Sequence, residues 1–296
     1  MKAIILNLCA WSILPIMDAF AKYLSQDMHV LQVVWARYFF TVVIVLPIML
    51  IFFKKQFKWT DKPQLQLIRG LLLLFATLFF FYALSKISMA KALTLAFVCP
   101  LVVTAFSPFL LNERVGFRRW SAVIIGFLGS LIVIRPGFID FNLASIAALG
   151  TGIMYAFYLI ATRKLSTTDS PLLTLLLTGI IGALLTTIII PFVWIFPSKE
   201  QWLMMFSIGL FATLGHLFLI LSLRLADASK LAPLAYFEIV NNVIIGYYIF
   251  NEFPDNWTLL GLFIIILSGV YISRREVIVN SSKIGNFYLL IYKVLL

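Results

Sequence analysis

The sequence predicts an all-α integral membrane protein of ten transmembrane helices, arranged as two inverted five-helix repeats. Three observations lead there. Of 296 residues, 62% are hydrophobic and 12% are charged, with a mean hydropathy of +1.05; 23 Lys+Arg and 12 Asp+Glu cannot coat a soluble globule of this length without leaving large apolar patches. The apolar residues fall in ten stretches, each near the length of about 20 residues that crosses a bilayer as a helix. The chain also repeats itself at an offset of 139 residues.

Charged and turn-rich breaks delimit spans at 3–24, 30–53, 66–85, 92–111 and 118–134, then at 143–162, 172–196, 202–223, 231–250 and 257–273. Each is too long for a strand, and a segment in lipid must satisfy its own backbone groups, so each is expected to be helical. The opening MKAIILNLC resembles a signal peptide at a glance. Leu8 is too large to precede a lipidated cysteine, however, and no small-residue cleavage site follows, so this segment is expected to stay as the first span. The tail 276–296 ends in FYLLIYKVLL, too short to span, and is expected to lie at the interface or fray.

Basic residues set the orientation. Breaks on the side of the termini carry 17 Lys and Arg, including those at 54–69 and 114–119, against five on the other side: Lys22, Lys86, Lys91, Arg135 and Lys199. Both termini are therefore expected in the cytoplasm, which requires an even number of spans. Scattering of the charge between apolar segments argues against nucleic acid as a partner. Cys9 and Cys99 both lie inside spans, where a thiol behaves as a small hydrophobe and no disulfide framework is expected.

The repeat lays KALTLAFVCPLVVTAFSPFLLNE, from Lys91, over KLAPLAYFEIVNNVIIGYYIFNE, from Lys230. Asn112-Glu113 falls on Asn251-Glu252, Ala96 on Ala235, and Arg135 on Arg274. Five spans per copy is an odd number, so the copies enter the membrane from opposite faces. The expected units are 3–136, 143–275 and a tail, 276–296. Inverted repeats meeting at a midplane site are an architecture of secondary carriers, in which two pseudo-equivalent halves exchange inward-open and outward-open shapes.

MDAFAK at 17–22, WAR at 35–37, NER at 112–114, APLAYFEIV at 232–240 and NEFPD at 251–255, in that order, resemble the tandem EamA-type carriers of the drug/metabolite transporter superfamily. The likeness covers residues 3–275, and within the superfamily it is greatest to the subgroup of S-adenosylmethionine carriers and riboflavin importers. It implies a cavity between spans one to four and six to nine, with spans five and ten at the periphery. It also implies the inner membrane of a bacterium.

Charged groups inside spans are costly and need a reason. Glu238 has no Lys or Arg within four positions, so another helix must supply a partner or a proton must neutralise it. It reads either as a proton-coupling or cation-recognising carboxylate or as a hydrogen bond that fixes packing. Asn241 and Asn242 follow at i+3 and i+4 and share its face, giving a polar stripe; Tyr236 points about 200° away. Asp18 and Arg37 lie at matching depths in the first two spans, which predicts an ion pair closing an antiparallel hairpin, either structural or breaking during transport. Lys22, one turn beyond Asp18, competes for the same carboxylate. Among the aromatics, Trp11, Trp35, Tyr82, Phe97, Tyr155, Tyr158 and Tyr236 fall in the spans that the resemblance places around the cavity, where a planar cargo could stack. His216, an intramembrane histidine, reads either as a proton carrier or as a hydrogen-bonded packing residue. Pro100 and Pro233 permit bends. Ala122, Gly126 and Ser130 recur every fourth residue as a face for contact between halves or between protomers of a homodimer.

No Walker A sequence, CxxC pair or HExxH is present, and His216 with scattered Ser and Thr shows no nucleophile–base spacing. The expectation is a carrier without enzymatic activity, cofactor or metal. It would move a small polar metabolite resembling S-adenosylmethionine, riboflavin or an amino acid by alternating access, with proton coupling or exchange. The competing class is a membrane scaffold or assembly partner that transports nothing.

Overall fold

Prolines, small polar caps and two left-handed asparagines set where helices start and stop in the computed structural model. It describes residues 1–53, 59–134 and 142–252, with scattered positions between 256 and 268. The first six helices are α1 (Lys2–Leu24), α2 (Val30–Phe52), α3 (Pro63–Leu84), α4 (Met89–Ala96), α5 (Val98–Leu111) and α6 (Phe117–Ile134). Then follow α7 (Leu143–Leu165), α8 (Pro171–Ile189), α9 (Lys199–Leu225), α10 (Ala228–Leu231) and α11 (Phe237–Phe250), the last two joined by a 3-10 turn, Ala232–Tyr236. No strand occurs among the described residues. Seven helical segments there are long and apolar enough to cross a membrane: α1, α2, α3, α4 with α5, α7, α8 with its 3-10 extension, and α9. The protein is an all-α, multi-pass membrane protein.

Local chemistry explains the starts. Ser88, Asn142, Ser170 and Ser198 each accept a backbone N–H three residues on, filling one of the donors a helix start leaves unsatisfied. Ser198 and Gln201 close a reciprocal capping box, and Pro63 and Pro171 occupy first-turn positions where no N–H is needed. Asn112 and Asn251 end α5 and α11 with the same left-handed geometry, φ 54° and ψ 30°, a conformation that asparagine tolerates better than most residues.

The fourth and ninth expected spans are not single helices. Pro100 has no N–H to give the Ala96 carbonyl, and its ring crowds that group. α4 therefore stops at Ala96, and Phe97 takes a turn conformation, φ −71° and ψ 6°, before α5 begins. Pro233 lies in the first turn of the 3-10 segment that separates α10 from α11. A side chain at Gly152 of α7 would strike the Ala96 carbonyl, so glycine there lets α7 close on the break.

Packing pairs distant helices. α1 lies on α9, α3 on α7, and α2 on α8 and α9, while α5 packs on α7 and α11 on α1. Consecutive helices α1 and α2 do not form the expected closed hairpin. The tenth span, the tail and the Arg135–Arg274 correspondence lie largely or wholly outside the described residues, as do the side chains of Ala122, Ser130 and Pro233.

Candidate functional site

The bends at Phe97 and in the 3-10 turn border a cavity. α1 contributes Trp11 and Asp18; α2, Arg37; α7, Tyr155; α9, His216; and α11, Glu238, with Phe97 beside them. Phe80, Phe81, Leu73 and Leu93 make much of the remaining wall apolar. A mainly hydrophobic pocket with a few convergent polar groups is the usual form of a small-molecule site.

Asp18 and Arg37 both reach this cavity, but no ion pair joins them. Asp18 is 1% exposed, and its Oδ1 is buried without a hydrogen-bond partner. Arg37 spends its terminal nitrogens elsewhere: Nη1 donates to Tyr38 Oη at 2.7 Å and to Thr77 Oγ1, and Nη2 donates to His216 Nε2 at 2.6 Å. Its Nε is buried with no partner. The expected pairing fails because α2 leans on α8 and α9 while α1 leans on α9 and α11, so equal depth does not make the two neighbours. Nor does Lys22 compete for Asp18, since it pairs with Glu252.

His216 is fully engaged. A guanidinium can only donate, so Nε2 must accept from Arg37. The ring proton then sits on Nδ1 and donates to Tyr158 Oη, 3.0 Å away. Tyr158 also accepts from Arg69 Nη2 at 3.0 Å, and the Arg69 guanidinium lies 4.6 Å from the centre of its ring. Arg69, counted among the loop charges from sequence, is 0% exposed. It donates further to Thr162 Oγ1 at 2.7 Å, to Thr178 Oγ1, and to Thr174 O at 3.1 Å. Tyr158 thus belongs to a polar layer beneath the cavity, in a smaller pocket that it shares with Arg37, Arg69 and His216.

Glu238 is 7% exposed, and its carboxylate has no hydrogen bond among the described residues. The rest of the expected stripe does not line the cavity. Asn241 Nδ2 donates to the Trp11 carbonyl at 3.2 Å, and the buried Asn242 donates to Glu238 O at 3.2 Å. Because α11 begins only at Phe237, these residues face the packed side of α1 and the helix's own backbone. Tyr236 is also not a lining residue: its ring fills the space above Gly126, where any side chain would collide with it, and its hydroxyl donates to Val123 O at 3.0 Å. Gly126 therefore serves contact within this chain. Tyr82 is half-buried near the end of α3, away from the cavity. Trp35 donates to Thr187 Oγ1 at 2.9 Å and stacks on Phe39, also away from it.

The aromatic wall is braced from behind. Trp11 Nε1 donates to Asn7 Oδ1 at 2.7 Å, and Asn7 donates to Ser222 Oγ at 3.1 Å. Tyr155 meets Trp11 edge-on at 6.3 Å and stacks on Tyr158 at 5.2 Å. Sequence reasoning missed Arg69, Thr77 and Thr151 at or beneath the site. Only the cost of a buried arginine could have pointed to the first.

Comparison with known proteins agrees with this architecture. The model of the EamA-like transporter family matches residues 1–135 and again 142–274. An S-adenosylmethionine uptake transporter of Rickettsia prowazekii is 31% identical, over 94% of this chain and 96% of its own. A riboflavin transporter of Vibrio cholerae is 28% identical, over 88% and 89%. A crystal structure at 18% identity superposes with a TM-score of 0.74 over 93% of this chain and 98% of its own, which speaks to the fold.

Proposed function

The chain belongs to the EamA-like transporter family, and from that premise we propose that its cavity carries a cationic amino-acid-like metabolite through the membrane by alternating access. The protein is a secondary transporter of small metabolites and not an enzyme. In this reading it has ten spans in two inverted repeats, 3–136 and 143–275, set in a bacterial inner membrane with both termini cytoplasmic.

One observation carries the cargo assignment: Asp18 Oδ1 and Arg37 Nε are buried, unpaired and border the same cavity. A buried polar atom left unsatisfied costs about 1–3 kcal/mol, more when charged, and a ligand that satisfies it recovers that cost. A zwitterion supplies both complements: a carboxylate for Arg37 and a positive centre for Asp18. Glu238 gives a second negative group, which suits a cargo with one more positive charge than a neutral amino acid. Trp11 and Tyr155 offer faces for a planar ring. S-adenosylmethionine, named for the Rickettsia prowazekii relative, has all four features; riboflavin has the ring alone.

Glu238 is the group at which a proton and the cargo's positive charge compete, which would couple transport to the proton gradient. Equilibrium binding to the purified protein tests the cargo class. S-adenosylmethionine should bind at least about tenfold more tightly than S-adenosylhomocysteine, which lacks the sulfonium charge, the loss of one charged contact being worth that much. Equal affinity for the two, or preference for riboflavin, would reject the assignment.

A further inference from the structure

The two Asn-Glu pairs end in matching clusters at opposite ends of the bundle. The 23-residue segment Met89–Leu111 runs from one cluster to the other, roughly 30 Å. At the first, Glu252 accepts an ion pair from Lys22 of α1 and a hydrogen bond from Met89 N, the first residue of α4, at 3.1 Å. Lys22 also donates to Ile87 O at 3.2 Å. At the second, Glu113 accepts from Ala228 N at 2.9 Å and Ser229 N at 3.0 Å, at the start of α10, and from Arg163 Nε of α7 at 3.3 Å.

These partners correspond. Glu113 and Glu252 are 139 positions apart, as are Met89 and Ala228. Lys22 and Arg163 are each third from the end of their helices, α1 and α7. Each glutamate therefore ties its own half of the sequence to the other half. Each also holds the start of a short helix, α4 or α10, that is broken from its continuation beside the cavity. Such a segment can swing without unfolding a full-length span.

We propose that Lys22–Glu252 and Arg163–Glu113 are the two gates of the transport cycle, opened in alternation to free α4 at one end and α10 at the other. This rests on the alternating-access reading above. The gates are unequal. Glu113 also takes the Ser229 hydroxyl at 2.7 Å, and Arg163 also holds Leu223 O at 2.6 Å and Asp227 Oδ1 at 3.1 Å. Among the described residues Glu252 has two donors, and it lies 25% exposed, against 6% for Glu113. Fewer and wetter bonds open more readily, so the resting protein favours opening at the Lys22 end.

Cys99 lines the cavity and reports which end is open. In a Cys9→Ser background, a membrane-impermeant thiol reagent is applied to vesicles from either face, with and without cargo. Glu252→Gln should raise Cys99 labelling about tenfold from the Lys22 face only, and Glu113→Gln from the Arg163 face only. Unchanged rates in both variants, with wild-type Cys99 reachable from each face in turn, would overturn the gates and leave alternating access intact. Wild-type Cys99 reachable from one face alone throughout transport would instead overturn alternating access. Should a glutamate variant fold poorly, Lys22→Cys with Glu252→Cys replaces it. An oxidant should cross-link that pair and stop transport, and a reductant should restore it; cross-linking that leaves transport running rejects the gate.

Discussion

Phe97 and Tyr236, 139 positions apart, meet edge to face with 5.2 Å between ring centroids. Each stands where a helix breaks, Phe97 between α4 and α5 and Tyr236 between the 3-10 turn and α11. The contact brings both breaks together beside the cavity, which Phe97 and Ala235 line.

Tyr236 depends on the empty space at Gly126. Gly126→Ala should lower stability by about 1–3 kcal/mol through overpacking, read as a drop in melting temperature in detergent. Tyr236→Leu should recover part of that loss in the double variant. An unaltered melting temperature for Gly126→Ala would show that the ring is not fixed there.

Asp18 and Arg37 form no ion pair, so their substitutions should act on cargo rather than on folding. Asp18→Asn should raise the KM for uptake about tenfold or more while folded yield stays near wild type, since its Oδ1 has no protein bond to lose. A marked fall in yield that Arg37→Leu then corrects would restore the ion-pair reading.

Arg69 holds α3 to α7 and α8 through hydroxyls and a carbonyl, all away from the main cavity. Arg69→Leu removes the charge-assisted bonds that tie the three helices together and should cost about 2 kcal/mol or more of stability, with KM unchanged in the surviving protein. A raised KM at normal thermal stability would move Arg69 into the binding site.

His216 and Glu238 separate under a change of pH. Glu238→Gln removes the titrating group and should flatten the pH dependence of accumulation against a gradient. His216→Gln can still accept from Arg37 and donate to Tyr158, and should leave the pH profile in place. The reverse pattern, measured as uptake rate across a pH series, would assign proton movement to the histidine.

Much of this was legible because lipid leaves few alternatives. The end of α1 at Leu24 and the end of α5 at Leu111 coincide with the apolar runs, since charge and turn residues must leave the membrane there. Pro100 announced a bend but not a complete break, which also needs Gly152 on α7 to leave room. Asp18 and Arg37 were matched by depth, yet depth says nothing about which way each helix face turns. Arg69 passed for a loop charge because its partners, Tyr158, Thr162 and Thr178, come from helices about 90 or more residues away. The Asn-Glu pairs were visible as a repeat, but the cations they hold lie in the opposite half, beyond the reach of local spacing.

Uptake of radiolabelled S-adenosylmethionine into sealed proteoliposomes tests the account most directly. The prediction is saturable accumulation that unlabelled S-adenosylmethionine abolishes and Asp18→Asn weakens. Flux no greater than in protein-free vesicles, while a different metabolite is carried normally, would contradict the cargo reading; no saturable flux of any metabolite would contradict the carrier itself.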